Sequence, residues 1–240
     1  MNHDPLRSTF DLAFALLLVF VVISAIFMIS NKKYLEVIEQ NQFRNNTQYI
    51  MGENDLFNQT EYQFKDREKA YQLISAAMDS IYKVVIKYKE NSNNKKTVKS
   101  ILIIGHTDNF PIMNNAKKSK FGRADYDNWN LSLDRAKQIV NLLVEEKLLD
   151  KYPEFKDVMI LPAGKAFYYP SLDFVKEYLS KELGVNIINE KDINYAFEDE
   201  IWNYICLNYS KEQINKLIKY CNNSEEKRTI NRRVQIRLEI

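Results

Sequence analysis

Residues 101–111, ILIIGHTDNFP, followed by residues 128–136, NWNLSLDRA, decide the fold. The first stretch begins as an apolar, β-branched run, predicts a buried strand ending at Gly105, and passes into a loop with Thr107 and Asp108. The second opens an amphipathic helix with Ser132 as its expected N-cap, Arg135 in the first turn, and Ala136, Ile139, Val140 and Leu143 on one stripe. A carboxylate and a guanidinium are thus offered from two neighbouring elements. Spacing alone leaves open whether they face a ligand or pair with each other to hold loop to helix.

Working outward, Ala70, Leu73, Ile74, Ala77, Ile81, Val84, Val85 and Tyr88 recur at i, i+3, i+4, i+7, which predicts a helix over residues 66–90 packed on a sheet. Residues 157–161 read as another strand, ended by Pro162 and Gly164. The terminal RRVQIRLEI alternates Val234, Ile236, Leu238 and Ile240 with polar residues, the pattern of a half-buried strand. Residues 171–230 read as an insertion of two or three short helices at 172–183, 195–209 and 211–220. A structured insertion of that length is usually functional or an interface. Tyr195, Trp202 and Tyr209 are residue types enriched in interfaces, so the insertion is expected to present a dimer or partner surface and to form no part of a ligand site.

Residues 12–29 are apolar apart from Ser24 and, as a helix, cover about 27 Å, close to the hydrocarbon thickness of a bilayer. A cleaved leader would need a basic start, a shorter apolar core and a small-residue cleavage site, so the segment reads as an uncleaved anchor. Lys32 and Lys33 follow the span and Arg7 precedes it, a count that by itself places the C-terminal side in the cytoplasm. Asp11 opens the span, either as an intramembrane carboxylate or, with Ser8 and Thr9, as a helix cap. Residues 31–60 are polar and read as a helical extension passing into a linker.

The near-balance of 34 Lys and Arg against 32 Asp and Glu leaves no polyanion footprint, which excludes nucleic acid as the expected partner. Cys206 and Cys221 have no zinc-type spacing and are either isolated thiols or a disulfide. His106 has no ligand-spaced companion, and no nucleophile–base set or phosphate loop is readable. No catalytic residue, metal or cofactor is therefore expected.

G-H-T-D followed by N-x-x-L-S-x-x-R-A resembles the signature of OmpA-like peptidoglycan-binding domains, and the forms GHTDNFP and NWNLSLDRA resemble the MotB branch. The resemblance implies an α/β fold, an α+β sandwich of βαβαβ type, over residues 61–240, preceded by a short cytoplasmic tail and single transmembrane helix over residues 1–30. It implies a peptidoglycan site of Thr107, Asp108, Asn128, Leu131 and Arg135, with Asp108 and Arg135 holding the ammonium and carboxylate of a diaminopimelate peptide. Arg232, in the terminal N-R-R-V, is implied as a further member, although an edge-strand charge would look the same. Trp129 reads as core. The resemblance also implies a B-type subunit of an ion-driven motor: a homodimer within a pentamer of a MotA-like multi-span partner, Asp11 carrying a proton or sodium ion. Its external domain would lie in the periplasm outside the cytoplasmic membrane, which overrides the charge count. The ten-residue tail and the large insertion favour an anti-phage motor of the Zorya type over a flagellar stator. A passive membrane-to-wall anchor is the alternative of another class.

Overall fold

A computed structural model describes residues 16–32, 48–91, 98–112, 125–183 and 198–239. The chain divides into two compact units, Met1–Phe43 and Arg44–Ile240. In the first, residues 16–32 form a helix (α1) whose large apolar side chains, including Leu16, Phe20 and Phe27, are exposed on every side. Among the described residues no helix is long and apolar enough to cross a membrane; Asp11 and residues 12–15 of the expected span lie outside them.

The second unit is built on a mixed four-stranded sheet of order β1-β4-β2-β3. Its strands are β1 (Gln48–Gly52), β2 (Ser100–Gly105), β3 (Met159–Gly164) and β4 (Arg233–Glu239). Between them run α2 (Glu53–Leu56), α3 (Arg67–Asn91), α4 (Asn128–Glu145) and two 3-10 turns, Leu148–Lys151 and Pro153–Phe155. β2 pairs parallel with β3, Gly105 opposite Gly164, and antiparallel with β4, Gly105 opposite Val234. Ile101, Ile103, Val234, Ile236 and Leu238 supply the sheet's share of the core, and Ala70, Ile74, Ala77 and Ile81 that of α3.

Three elements differ from the sequence reading. Gln48–Gly52, expected as linker, is an edge strand antiparallel to β4. With one buried side chain, Met51, it carries almost no periodicity of its own, and its pairing partner lies at the far end of the chain. β3 begins at Met159 and runs through Pro162 to Gly164 instead of ending at the proline. It is an edge strand, the position at which a missing N–H is tolerated. β4 lies inside the sheet, so Arg233 and Gln235 are buried as well as the alternating apolar residues.

Two glycines set α4 on the strand ends. A Cβ at Gly105 would overlap the carbonyl of Ser132, and one at Gly164 would lie 2.6 Å from Ser132 Oγ and 2.8 Å from the Leu133 nitrogen. Ser132 is therefore inside the helix and against the sheet, donating to Trp129 O (2.9 Å) and accepting from Ala166 N (3.2 Å). The N-cap is Asp127, whose carboxylate accepts from Asn130 N at 3.0 Å. Arg135 consequently sits about two turns into α4, not in its first turn.

The insertion folds around its own apolar cluster. Its helices are α5 (Leu172–Leu183), α6 (Glu198–Asn208), α7 (Lys211–Cys221) and α8 (Glu225–Asn231), the last unforeseen and capped by Ser224. Val175, Leu179, Ile201, Ile205, Leu217 and Cys221 close the cluster. Trp202, expected at an outer surface, is only 4% exposed and belongs to it; Tyr209 packs against it, and Tyr195 lies outside the described residues. Cys206 and Cys221 are free thiols, and burial pushes that of Cys221 up to about 12.

Candidate functional site

The loop after β2 is held from three sides. His106 N donates to Arg233 O (2.9 Å) and Thr107 N to Ala166 O (3.1 Å), which ties the loop to β4 and to the chain leaving β3. Asp108 Oδ1 accepts from Phe110 N at 2.9 Å, an Asx-type turn that reverses the chain. Asn128, the first residue of α4, donates from Nδ2 to Asp108 O (3.1 Å) and Phe110 O (3.0 Å). The two motifs read from the sequence are thereby locked together at the carboxyl ends of the parallel strands.

Asp108 and Arg135 do not pair with each other. Asp108 Oδ2 accepts from Arg232 Nη1 at 2.6 Å, in a pair almost wholly removed from solvent. Arg232 is thus no exposed edge charge; its Nη2 continues to Glu225 Oε1 (2.8 Å) and Thr229 Oγ1 (2.9 Å), both on α8. Arg135 instead lies 2.7 Å from Glu53 Oε1, each side chain 1% exposed. Its Nε donates to Glu61 O (2.8 Å), its Nη2 to Asn58 O (3.3 Å), and its guanidinium sits 5.4 Å from the Phe57 ring. Burial raises the Glu53 pKa, with Arg135 and then Arg232 opposing the rise, and burial lowers that of Arg135.

The six positions named from sequence, Thr107, Asp108, Asn128, Leu131, Arg135 and Arg232, all line one cavity of about 30 Å³. Glu53 lines it too. Three fully buried polar atoms on these residues have no partner in the protein: Glu53 Oε2, Thr107 Oγ1 and Arg232 Nε; Glu53 Oε1 faces Arg135 Nη2 at 2.7 Å. Each such atom costs about 1–3 kcal/mol unless something else satisfies it. The cavity therefore presents one acceptor group, one N–H donor and one hydroxyl to whatever enters.

Glu53 escaped the sequence reading because it follows a strand that was itself unread; the only local signal was an acidic residue beside Gly52. Trp129, read as core, is 45% exposed and stacks on Tyr168 with ring centroids 5.5 Å apart. Among the described residues no group of three His, Cys, Asp or Glu could hold a metal ion.

Residues 56–165 match the model of the OmpA family. This segment is similar to OmpA family domains. Within this chain the OmpA match covers Thr107, Asp108, Asn128, Leu131 and Arg135, and leaves Glu53, the insertion and Arg232 outside. No curated protein matches the sequence. Among solved structures, a putative MotB like protein from Desulfovibrio vulgaris is similar at 16% identity and a TM-score of 0.39, over 80% of this chain and 72% of that one. The periplasmic domain of Helicobacter pylori MotB is similar at 17% identity and a TM-score of 0.38, over 80% and 81%. The cell wall anchor of the T6SS from Pseudomonas aeruginosa gives 15% and 0.34, over 79% and 78%.

Proposed function

We propose that the OmpA domain anchors this chain to the bacterial cell wall, its pocket holding the zwitterionic diaminopimelate centre of a peptidoglycan stem peptide. The observation that carries this reading is the set of unsatisfied polar atoms on Glu53, Thr107 and Arg232 around one cavity. A centre bearing both an ammonium and a carboxylate brings donors and acceptors together, which a purely anionic or cationic ligand does not. The test is sedimentation of the full chain, in detergent, with purified sacculi of the diaminopimelate type. Sacculi stripped of stem peptides by an amidase should fail to carry the protein down, and equal sedimentation with stripped and intact sacculi would contradict the reading.

The assembly we infer is the B-type subunit of an ion-driven motor: a homodimer within a MotA-like pentamer in the cytoplasmic membrane, with the OmpA domain in the periplasm. What supports it is the N-terminal unit. In the sequence, residues 12–29 are apolar apart from Ser24 and of a length that matches a bilayer's hydrocarbon thickness, and Asp11 stands just before them. An intramembrane carboxylate is costly unless it faces partner helices or a water path, where it can carry a proton or sodium ion. Anti-phage defence of the Zorya type is the preferred role, ahead of a flagellar stator. A passive wall anchor is separated by Asp11→Asn, which fixes the neutral state: a motor keeps its assembly and loses activity in cells, whereas a tether keeps both.

A further inference from the structure

We propose that the exposed aromatic stack beside the pocket, Trp129 on Tyr168, is a carbohydrate platform that takes the face of a sugar in the glycan strand; this rests on the peptidoglycan reading above. The two rings lie 5.5 Å apart between centroids and 25° from parallel, and Tyr168 stacks in turn on Phe167 at 4.3 Å and 24°. Phe167 packs against the apolar cluster of the insertion. One end of the stack is therefore held by a core, while Trp129 and Tyr168 are 45% and 41% exposed. Flat apolar surface left in water beside a ligand cavity marks a contact surface.

Hydrogen bonds fix this stack in register with the cavity. Trp129 follows Asn128, which lines the cavity and donates to Asp108 O and Phe110 O. Tyr168 follows the turn at Ala166, whose O accepts from Thr107 N and whose N donates to Ser132 Oγ, the same hydroxyl that donates to Trp129 O. Ala166 holds φ at 48°, a left-handed conformation that a residue with a side chain keeps only where its surroundings impose it. The covalent chemistry of the wall then selects the occupant. A stem peptide seated in the cavity is bonded through its own N-terminus to a glycan strand, and so holds that strand within a short peptide's reach of the stack. A pyranose suits the surface: its axial C–H bonds make an apolar face about the size of an aromatic ring, and its hydroxyls point outward, toward the level of the indole N–H and phenol O–H at the ring edges. A peptide segment would instead need side-chain pockets or an unpaired strand edge, and stacked rings provide neither.

The full chain in detergent can be titrated, by calorimetry and by intrinsic fluorescence, with two probes: a disaccharide muropeptide and the same stem peptide without its sugars. Of the two tryptophans in the chain, Trp202 is buried in the insertion, so a change in the emission of an exposed indole reports Trp129. The muropeptide should bind about threefold to tenfold more tightly than the peptide, the scale of one aromatic stacking contact, and should shift that emission to the blue, which the peptide alone should not do. Trp129→Ala, and independently Tyr168→Ala, should reduce the muropeptide to the affinity of the peptide and leave the peptide's own affinity unchanged. Trp129→Phe, which keeps a ring, should retain part of the preference. Equal binding of the two probes by the wild type overturns the platform and gives the stack to a protein or lipid partner; a folded Trp129→Ala that keeps the preference overturns it too. Wild-type protein that binds neither probe overturns the peptidoglycan reading itself, and the platform with it.

Discussion

Arg135 meets Glu53, not Asp108: its Nη2 lies 2.7 Å from Glu53 Oε1, with both side chains 1% exposed. Removing one member of such a pair strands a buried charge and costs about 3–5 kcal/mol. Arg135→Ala is thus expected to destabilise the domain by that amount, so a loss of wall binding in this variant would report folding before it reported recognition. Replacing both residues by neutral ones should restore much of the loss. Thermal or urea unfolding of the full chain in detergent, single variants against the double, is the measurement; a silent Arg135→Ala would show that the pair contributes nothing.

Gly105 faces the carbonyl of Ser132 so closely that any Cβ overlaps it. The obstructing atom is backbone and belongs to α4, so it cannot rotate aside. Gly105→Ala should cost about 3 kcal/mol or more, the upper range for overpacking, and should shift α4 relative to the loop. Unfolding curves paired with sacculus sedimentation should fall together in this variant. Wild-type stability would disprove the close approach.

His106 is buried, and burial, aided by the positive charges of Arg233 and Lys165, holds its pKa well below the ordinary 6.5. The unfolded chain protonates this ring below 6.5 while the folded chain keeps it neutral, so the unfolded state binds the extra proton. Its contribution to stability is whole above pH 6.5 and is lost as pH falls from 6.5 toward the folded value, at up to about 1.4 kcal/mol per pH unit. Unfolding free energies between pH 5 and 8 should show that slope in the wild type and lose it in His106→Gln. An unchanged slope in the variant would assign the titration elsewhere.

No residue of the insertion lines the cavity, but α8 holds Arg232, which does, so the insertion does not stand wholly apart from the pocket as expected. Glu225 and Thr229 hold the Arg232 guanidinium whose other nitrogen reaches Asp108, and Asn231 ties the same segment to Ser171, Cys221 and Asn222. Hydrogen bonds to Arg232 and Arg228 depress the Glu225 pKa. Because Glu225 is largely exposed, its pair is screened, and Glu225→Ala should weaken sacculus binding by only about twofold to fivefold. The effect should shrink at high salt. Complete loss of binding, or none at any salt, would contradict this role.

Long periodic elements were legible in the sequence. α3, α4, β2 and β4 were found because each buries a stripe that repeats at its own period, and the six site positions converge on one cavity because the two motifs sit at the ends of those elements. What was missed depends on distant partners. β1 has five residues and takes its register from β4, so neither it nor Glu53 behind it showed a local pattern. The ion-pair partners were likewise set by tertiary approach: Asp108 and Arg135 each found an opposite charge from another element, Arg232 and Glu53. Ser132 has the chemistry of an N-cap, but two glycines let it pass under the helix while Asp127 took the cap. Trp202 looked like an interface residue because the insertion's own core could not be read from short helices.

The central claim, that this pocket binds the peptide of peptidoglycan, is tested most directly by sedimentation isotherms on intact diaminopimelate sacculi for the full chain and for Asp108→Ala. Asp108 organises the loop and holds Arg232 at 2.6 Å, and a lost charge-assisted hydrogen bond is worth about 1.5–3 kcal/mol. The account predicts saturable sedimentation of the wild type and at least tenfold weaker binding by a folded Asp108→Ala. Superimposable isotherms for the two proteins, or no sedimentation of the wild type, would contradict it.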